Sequence, residues 1–194
     1  MLVNEIFRSL QGEGVNAGKV AVFVRFAGCN LRCPFCDTDH ERGQEMTAEE
    51  IVREVVRSGE AELTVLTGGE PGLQVTEELV ELLHRAGKRV AIETNGTVEL
   101  PRGIDWVTVS PKDGYVGEEG KPVVRKADEL KVVYDGEREP GSYGEMEVGE
   151  KILQPCDTGN EQRNREIVEK AVKYCLEHPE WRLGLQVHKL LGIR

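Results

Sequence analysis

The sequence predicts an α/β protein: an open, incomplete parallel β/α barrel of about six strands and three long helices, reduced relative to a full barrel. Three observations carry this expectation. Short runs rich in valine and isoleucine recur between turn residues, as in strands buried on both faces. Up to residue 93 these runs alternate with amphipathic helical segments, which implies right-handed parallel crossovers. The chain of 194 residues suits one domain, taken as 1–194, and falls short of the roughly 250 residues of a complete eight-fold barrel.

Taken in order, the first buried run is Val20–Phe26 (VAVFVRF). A helix should follow from Thr47, which forms a capping box with Glu50, aligns Ile51, Val52, Val55 and Val56, and stops at Gly59. Leu63–Leu66 is the next strand. A second helix runs from about Thr76 to Ala86 on Leu79, Val80, Leu82 and Leu83, ending before Gly87. Arg89–Glu93, Trp106–Ser110, Leu130–Tyr134 and Lys151–Gln154 read as further strands, with Arg182–His188 near the end. Gly114–Lys121 and Asp135–Glu150 read as loops. A third helix spans about Glu161 to Glu177, with Ile167, Val168, Ala171, Val172 and Cys175 on one face, and Pro179 stops it.

Composition limits the function classes. Hydrophobic residues make up 39% and charged residues 31%, with a formal net charge of −10. That balance belongs to a globular chain, and its acidity repels phosphate backbones, so no nucleic-acid partner is expected. The opening segment has no basic region followed by an apolar stretch, and no window approaches the ~20 apolar residues of a membrane span. A cytoplasmic protein with no membrane partner is therefore expected.

Three of the five cysteines fall in Cys29-Asn-Leu-Arg-Cys33-Pro-Phe-Cys36. The array follows the first buried run, at the strand end where α/β sheets bind ligands. Without a secretion signal, such a cluster reads as metal-binding rather than disulfide-bonded. Spacings of three and two let one loop curl its thiolates around a metal centre, leaving a position for another ligand. A structural zinc site would need a fourth ligand, which Cys156 or His40 could supply.

The array, with Phe35 before its last cysteine, resembles the radical S-adenosylmethionine superfamily. Thr67-Gly68-Gly69-Glu70-Pro71 stands one β/α unit later, where that superfamily carries its glycine motif. The resemblance implies that Cys29, Cys33 and Cys36 hold a 4Fe–4S cluster whose remaining iron takes S-adenosylmethionine. Nearly the whole chain further resembles the 7-carboxy-7-deazaguanine synthase family. That likeness is carried by Glu5-Ile-Phe-Arg-Ser-Leu-Gln-Gly-Glu-Gly14, Arg25-Phe-Ala-Gly-Cys29, Cys36-Asp-Thr38, Ser110-Pro-Lys112, Gln154-Pro-Cys-Asp157 and Leu185-Gln-Val-His-Lys189.

What this likeness implies is a carbon–nitrogen lyase that contracts the ring of 6-carboxy-5,6,7,8-tetrahydropterin to 7-carboxy-7-deazaguanine with loss of ammonia. The reaction serves the 7-deazapurine bases queuosine and archaeosine. A 5′-deoxyadenosyl radical takes a hydrogen from C6 of the pterin and later returns it, so the catalytic group is the radical rather than a side chain. By the same likeness, Leu10, Gln11, Gly12, Glu13, Arg25, Thr67 and His188 contact the substrate. Thr38 binds Mg²⁺, and Gly69, Ser110, Pro111, Lys112, Gln154, Pro155, Cys156 and Asp157 contact S-adenosylmethionine. Arg25 also stands out physically, because a guanidinium in an apolar strand needs a partner, either a substrate carboxylate or an acidic neighbour in a structural ion pair. A homodimer and a flavodoxin-like electron donor are implied too. The final residues Gly192-Ile193-Arg194 stay outside the expected site.

Two other functions fit the cysteine array alone. A glycyl-radical activase would share the cysteine and glycine motifs but would not need Gln11, Glu13, Arg25 and His188 as a pterin pocket. A zinc-binding interaction module would hold stoichiometric zinc and no iron. Replacing Cys29, Cys33 or Cys36 by Ala should abolish the cluster, read as loss of the iron–sulfur absorption and of acid-labile sulfide after reconstitution.

Overall fold

The computed structural model describes residues 1–36, 38, 42–141 and 143–194. Strands β1 (Leu2–Leu10), β2 (Val20–Phe26) and β3 (Gln44–Glu45) come first, then helix α1 (Ala48–Arg57), β4 (Leu63–Gly68), α2 (Glu77–Arg85), β5 (Arg89–Thr94) and β6 (Trp106–Val109). The short α3 (Asp113–Val116), β7 (Lys126–Tyr134), β8 (Glu147–Pro155), α4 (Glu161–Glu177), β9 (Trp181–Leu183) and α5 (Val187–Leu191) complete the chain. The strands form one sheet in the order β3-β1-β2-β4-β5-β6-β7-β8-β9.

From β2 through β4 to β9 every neighbouring pair is parallel, and β1 alone runs the other way, antiparallel to both β2 and β3. The expected parallel sheet is therefore present, widened by a hairpin partner on the β2 side. Among the described residues β9 and β3 are the two edges of the sheet, so the barrel is open.

Strand alternation divides the side chains between two faces. Val22, Val24 and Phe26 of β2, Leu66 of β4 and Val90 and Ile92 of β5 pack with Ile51 and Val55 of α1 and Leu79, Val80 and Leu83 of α2. Leu130 and Val132 of β7 and Leu153 of β8 pack with Ala171 of α4 and Trp181 of β9. The other face carries Phe23, Arg25, Val65, Thr67, Glu93, Lys131 and Val133, all lining an internal cavity. The apolar face holds the fold together and the other face is left for chemistry.

The helix ends follow from local chemistry. Thr47 accepts from the Glu50 amide at 3.3 Å while the Glu50 carboxylate accepts from the Thr47 amide at 2.9 Å, the reciprocal capping box the sequence predicts. Thr76 caps α2 and Asn160 caps α4. On α4 only Ile167 and Ala171 are buried, a narrower stripe than the sequence pattern suggested.

Three expectations about elements change. Leu2–Leu10 is a strand, paired with β2 from Val3 to Leu10. The loop stretch 114–121 contains the end of α3 and a 3₁₀ turn at Gly117–Gly120, and the loop stretch 135–150 ends inside β8. The expected strand Arg182–His188 stops at Leu183. At Gly184 the chain crosses the end of β8, where an added Cβ would lie 2.6 Å from the Ile152 side chain and 2.7 Å from that of Gln154. It then bends over the sheet into α5, so His188 sits on a helix.

That bend closes the seam of the open barrel. The Val187 amide donates to the Gly12 carbonyl at 2.9 Å. The Gln186 side-chain amide donates to Glu13 at 2.8 Å, Ser9 donates to the Arg194 carbonyl, and Arg194 pairs with Glu5.

Ile51, with no exposed surface, joins α1 to the sheet. Ile51→Ala should destabilise the protein by about 2–5 kcal/mol, read from denaturant unfolding.

Candidate active site

A cavity of about 530 Å³ fills the inner face of the sheet, a size typical of small-molecule sites. Its walls come from most strands and from the loops after them. These supply three thiols at one part of the lining and a set of charged and amide side chains at another.

The thiols lie on the loop after β2. The Cys29 sulfur accepts from the Leu31 amide at 3.4 Å, the Cys36 amide donates to the Cys33 carbonyl at 3.2 Å, and the Cys36 thiol donates to the Thr38 carbonyl at 3.8 Å. Burial pushes the Cys29 and Cys33 thiols up, and each feels the charge of the other cysteines. Thr38 lines the cavity beside them. Asp37 of the Cys36-Asp-Thr38 motif and His40, the alternative zinc ligand, lie outside the described residues. Among the described residues no three His, Cys, Asp or Glu side chains stand in the geometry of a single-ion site. Three thiols sharing one cavity are the donor set that iron–sulfur clusters use, and metal binding deprotonates such thiols outright. The residues fit the group.

The glycine motif fastens this loop to the sheet. Gly68 has φ +121°, a conformation that favours glycine. A Cβ on Gly69 would come within 1.9 Å of the Gly28 carbonyl oxygen. That close approach lets the Gly69 amide donate to Phe26 at 3.0 Å and the Glu70 amide to Gly28 at 2.9 Å.

Glu70 is fully buried. Its carboxylate accepts from the Gly72 amide at 2.8 Å, the Thr94 hydroxyl at 2.7 Å and the Asn95 amide at 2.7 Å. Burial raises its pKa. Asn95 continues the chain by donating to Asn30 at 3.1 Å. One carboxylate thus joins the ends of β4 and β5 and, through Asn95, the cysteine loop.

The charged region centres on Lys131 of β7, which is 6% exposed. Its ammonium donates to Glu13 at 2.6 Å and to Glu93 at 2.7 Å. Glu93 also accepts from the Gln11 side-chain amide at 3.2 Å, and the Gln11 side-chain oxygen accepts from the Glu13 amide at 3.3 Å. Although burial opposes ionisation, the Lys131 ammonium, with Gln186 and His188, holds Glu13 down at about 2. Leu10 and Gly12 complete this part of the lining. A Cβ on Gly12 would meet the His188 ring at 2.2 Å, so the histidine lies directly on the loop carrying Gln11 and Glu13.

Thr67 faces the cavity from β4, opposite Arg25 in the β2–β4 register. The Arg25 Nε donates to Glu5 at 2.9 Å, and its guanidinium lies 5.8 Å from the Phe7 ring centroid. The ion pair answers the partner question the sequence raised and turns the guanidinium along the cavity wall.

Of the residues expected around S-adenosylmethionine, Gly69, Ser110, Lys112, Gln154, Pro155, Cys156 and Asp157 all line the cavity, whereas Pro111 does not. Pro111 is buried, behind its two lining neighbours. Lys112 donates to the Ser110 hydroxyl at 2.7 Å, and burial pulls its ammonium down to about 8. Gln154 is buried, its side-chain amide donates to the Pro155 carbonyl at 3.4 Å, and its side-chain oxygen lies against Gly184. Asp157 is held at about 2 by the Gly159 amide first, then by Lys189 and Asn164. Its side chain thus shapes the turn before α4.

The sequence reading missed Glu93 and Lys131 because they sit singly in apolar strands. The reasoning applied to Arg25, a charge in a buried run, would have found both. Gln186, Lys189 and Arg194 also line the cavity, and the Arg194 guanidinium stacks 4.6 Å from the Phe7 ring centroid. Gln186 and Lys189 stand in the Leu185–Lys189 segment that carried the likeness, without a role assigned to them, and Arg194 was left outside the expected site.

Comparison with known proteins adds independent findings. The sequence profile of the Radical SAM superfamily matches residues 23–117. A 7-carboxy-7-deazaguanine synthase of Bacteroides thetaiotaomicron is 48% identical over 192 residues, covering 99% of this chain and 98% of that one. The enzyme of the same name from Nitratidesulfovibrio vulgaris is 43% identical over 216 residues, covering 98% of each. Among solved structures, QueE from Escherichia coli superposes with a TM-score of 0.72 at 26% identity, over 96% of this chain and 94% of that one.

Glu70→Ala would strand the donors of Gly72, Thr94 and Asn95 in a buried setting. It should cost about 2–4 kcal/mol of stability, measured by denaturant unfolding of the protein before cluster reconstitution.

Proposed function

The chain belongs to the 7-carboxy-7-deazaguanine synthase family of the radical S-adenosylmethionine superfamily, and we propose that its cavity carries out the family's ring contraction of 6-carboxy-5,6,7,8-tetrahydropterin with the residues described above. The observation that carries this reading is that one cavity joins the three thiols to the polar group of Gln11, Glu13, Arg25 and His188. A glycyl-radical activase has no use for that group.

Cys29, Cys33 and Cys36 would hold the 4Fe–4S cluster that the family implies. Bound there, cluster and S-adenosylmethionine supply the one-electron chemistry that starts the reaction. The residues of this chain bind, orient and shield. Gln11 and Glu13 offer an amide and an ionised carboxylate to the hydrogen-bonding edge of the pterin. Each carboxylate oxygen of Glu13 keeps acceptor capacity after its bonds to Lys131 and Gln186. Arg25, turned by Glu5, meets the substrate carboxylate with a charge-assisted contact. Thr67 and His188 contact the substrate from β4 and α5, with Leu10 and Gly12 completing its surround.

Gln154, the Ser110–Lys112 pair, Gly69 and the segment Pro155–Cys156–Asp157 form the S-adenosylmethionine side. Pro111 contributes there by fixing the backbone between Ser110 and Lys112. Thr38 is the Mg²⁺ ligand in this reading, supported by its place beside Cys36; Mg²⁺ keeps most of its waters, so one protein ligand suffices. Among the described residues no helix is long and apolar enough to cross a membrane. The working protein is then a cytoplasmic single-domain enzyme acting as a homodimer with a flavodoxin-like donor, on a small molecule rather than a nucleic acid.

Anaerobic incubation of the reconstituted protein with dithionite, Mg²⁺, S-adenosylmethionine and 6-carboxytetrahydropterin should yield 7-carboxy-7-deazaguanine over many turnovers, read by mass spectrometry. Formation of 5′-deoxyadenosine without that product would overturn the substrate assignment and bring the activase reading forward.

A further inference from the structure

We propose that Lys131 is a positioning residue for pterin recognition: bridging Glu13 and Glu93, it keeps the Glu13 carboxylate ionised and aimed into the cavity. This deepens the function proposed above and rests on it.

Three observations meet at this ammonium. It is the buried cation between Glu13 and Glu93, at 2.6 Å and 2.7 Å. Two carboxylates facing one interior cannot both stay ionised without a cation between them. Through Glu93 the same ammonium also sets Gln11, whose Nε2 is taken by Glu93 and whose oxygen is taken by the Glu13 amide. The orientation of both expected pterin contacts is therefore decided from a strand that need not touch the pterin.

Charge state matters because the pyrimidinone edge of a pterin presents adjacent N–H donors. An ionised carboxylate accepts from both, whereas a protonated one turns one oxygen into a donor. The titratable groups facing the pair are Glu129 on β7 itself, Glu93 on β5, Lys112 after β6 and His188 on α5. Among the described residues, Lys131 is the cation in hydrogen-bond contact with Glu13.

The test is equilibrium binding of 6-carboxypterin, a non-reacting analogue. It is measured anaerobically on cluster-reconstituted protein with S-adenosylmethionine and Mg²⁺, from about pH 5 to about pH 7.5. The profile of the unaltered protein is the reference: Glu13 titrates far below this window and adds no pH dependence of its own to it. Relative to that reference, Lys131→Met should weaken binding at least about tenfold at the acid end, with the deficit shrinking as pH rises and Glu13 ionises. Glu93→Gln keeps the cation beside Glu13 and should follow the reference profile. The double variant Lys131→Met/Glu93→Gln, which buries one carboxylate fewer, should still show a deficit that shrinks with pH, and it serves if Lys131→Met alone fails to fold. A folded Lys131→Met or double variant whose profile parallels the reference, whether at parental affinity or uniformly weaker, would reduce Lys131 to a structural role. Failure of the unaltered protein to bind the analogue at any pH would instead overturn the pterin reading itself.

Discussion

The inner face of this sheet depends on one ammonium group. Glu13 comes from the loop after β1, Glu93 from β5 and Gln186 from the turn before α5, and they converge because Lys131 of β7 stands between the two carboxylates. Replacing such a triad with apolar side chains of similar volume is often neutral or stabilising, so its presence is weak evidence about stability. Its geometry serves the cavity, by holding polar atoms in fixed places within a medium where each counts for more than it would in water.

Glu70 plays the corresponding part near the thiols, and the contrast is instructive. Lys131 compensates charge with charge. Glu70 is buried with three hydrogen-bond donors and, among the described residues, no ion-paired cation, and burial raises its pKa. It works as a rigid acceptor that ties strand ends together, whereas the ionic group stands where the proposed substrate would be read. Two residues further down the strands, away from the cysteine loop, Phe23, Val65 and Ala91 form an apolar layer beneath Arg25, Thr67 and Glu93.

Much of this arrangement was legible before any coordinates. The cysteine spacing, the Gly68–Gly69 turn and the capping box at Thr47 are local, and local chemistry can be read from local sequence. The three long helices and the parallel crossovers up to residue 93 followed from periodicity. What escaped was whatever depends on contacts across the sheet. Lys131 looked like one polar residue in LKVVY, and Glu93 the end of RVAIE, because an isolated charge in a strand shows its partner only once the register is known. Glu5–Gly14 was read as a motif, although its first half lies in β1, which supplies Glu5 and Phe7 to the cavity wall. The turn at Gly184 was missed because its cause, the crowding against Ile152 and Gln154, is tertiary.

The closure of the seam sets an order of events during synthesis. The bonds that complete the charged region are among the longest-range in the chain: Gln186 reaches Glu13 across 173 positions and Arg194 reaches Glu5 across 189. Neighbouring strands elsewhere in the parallel sheet lie close in sequence, so most of it can assemble as the chain leaves the ribosome, N-terminal part first. The pocket has to wait for residues 186–194. A nascent or truncated chain can therefore be largely folded and still lack a place for its ligand. Ligand occupancy consequently distinguishes the finished molecule from every incomplete one.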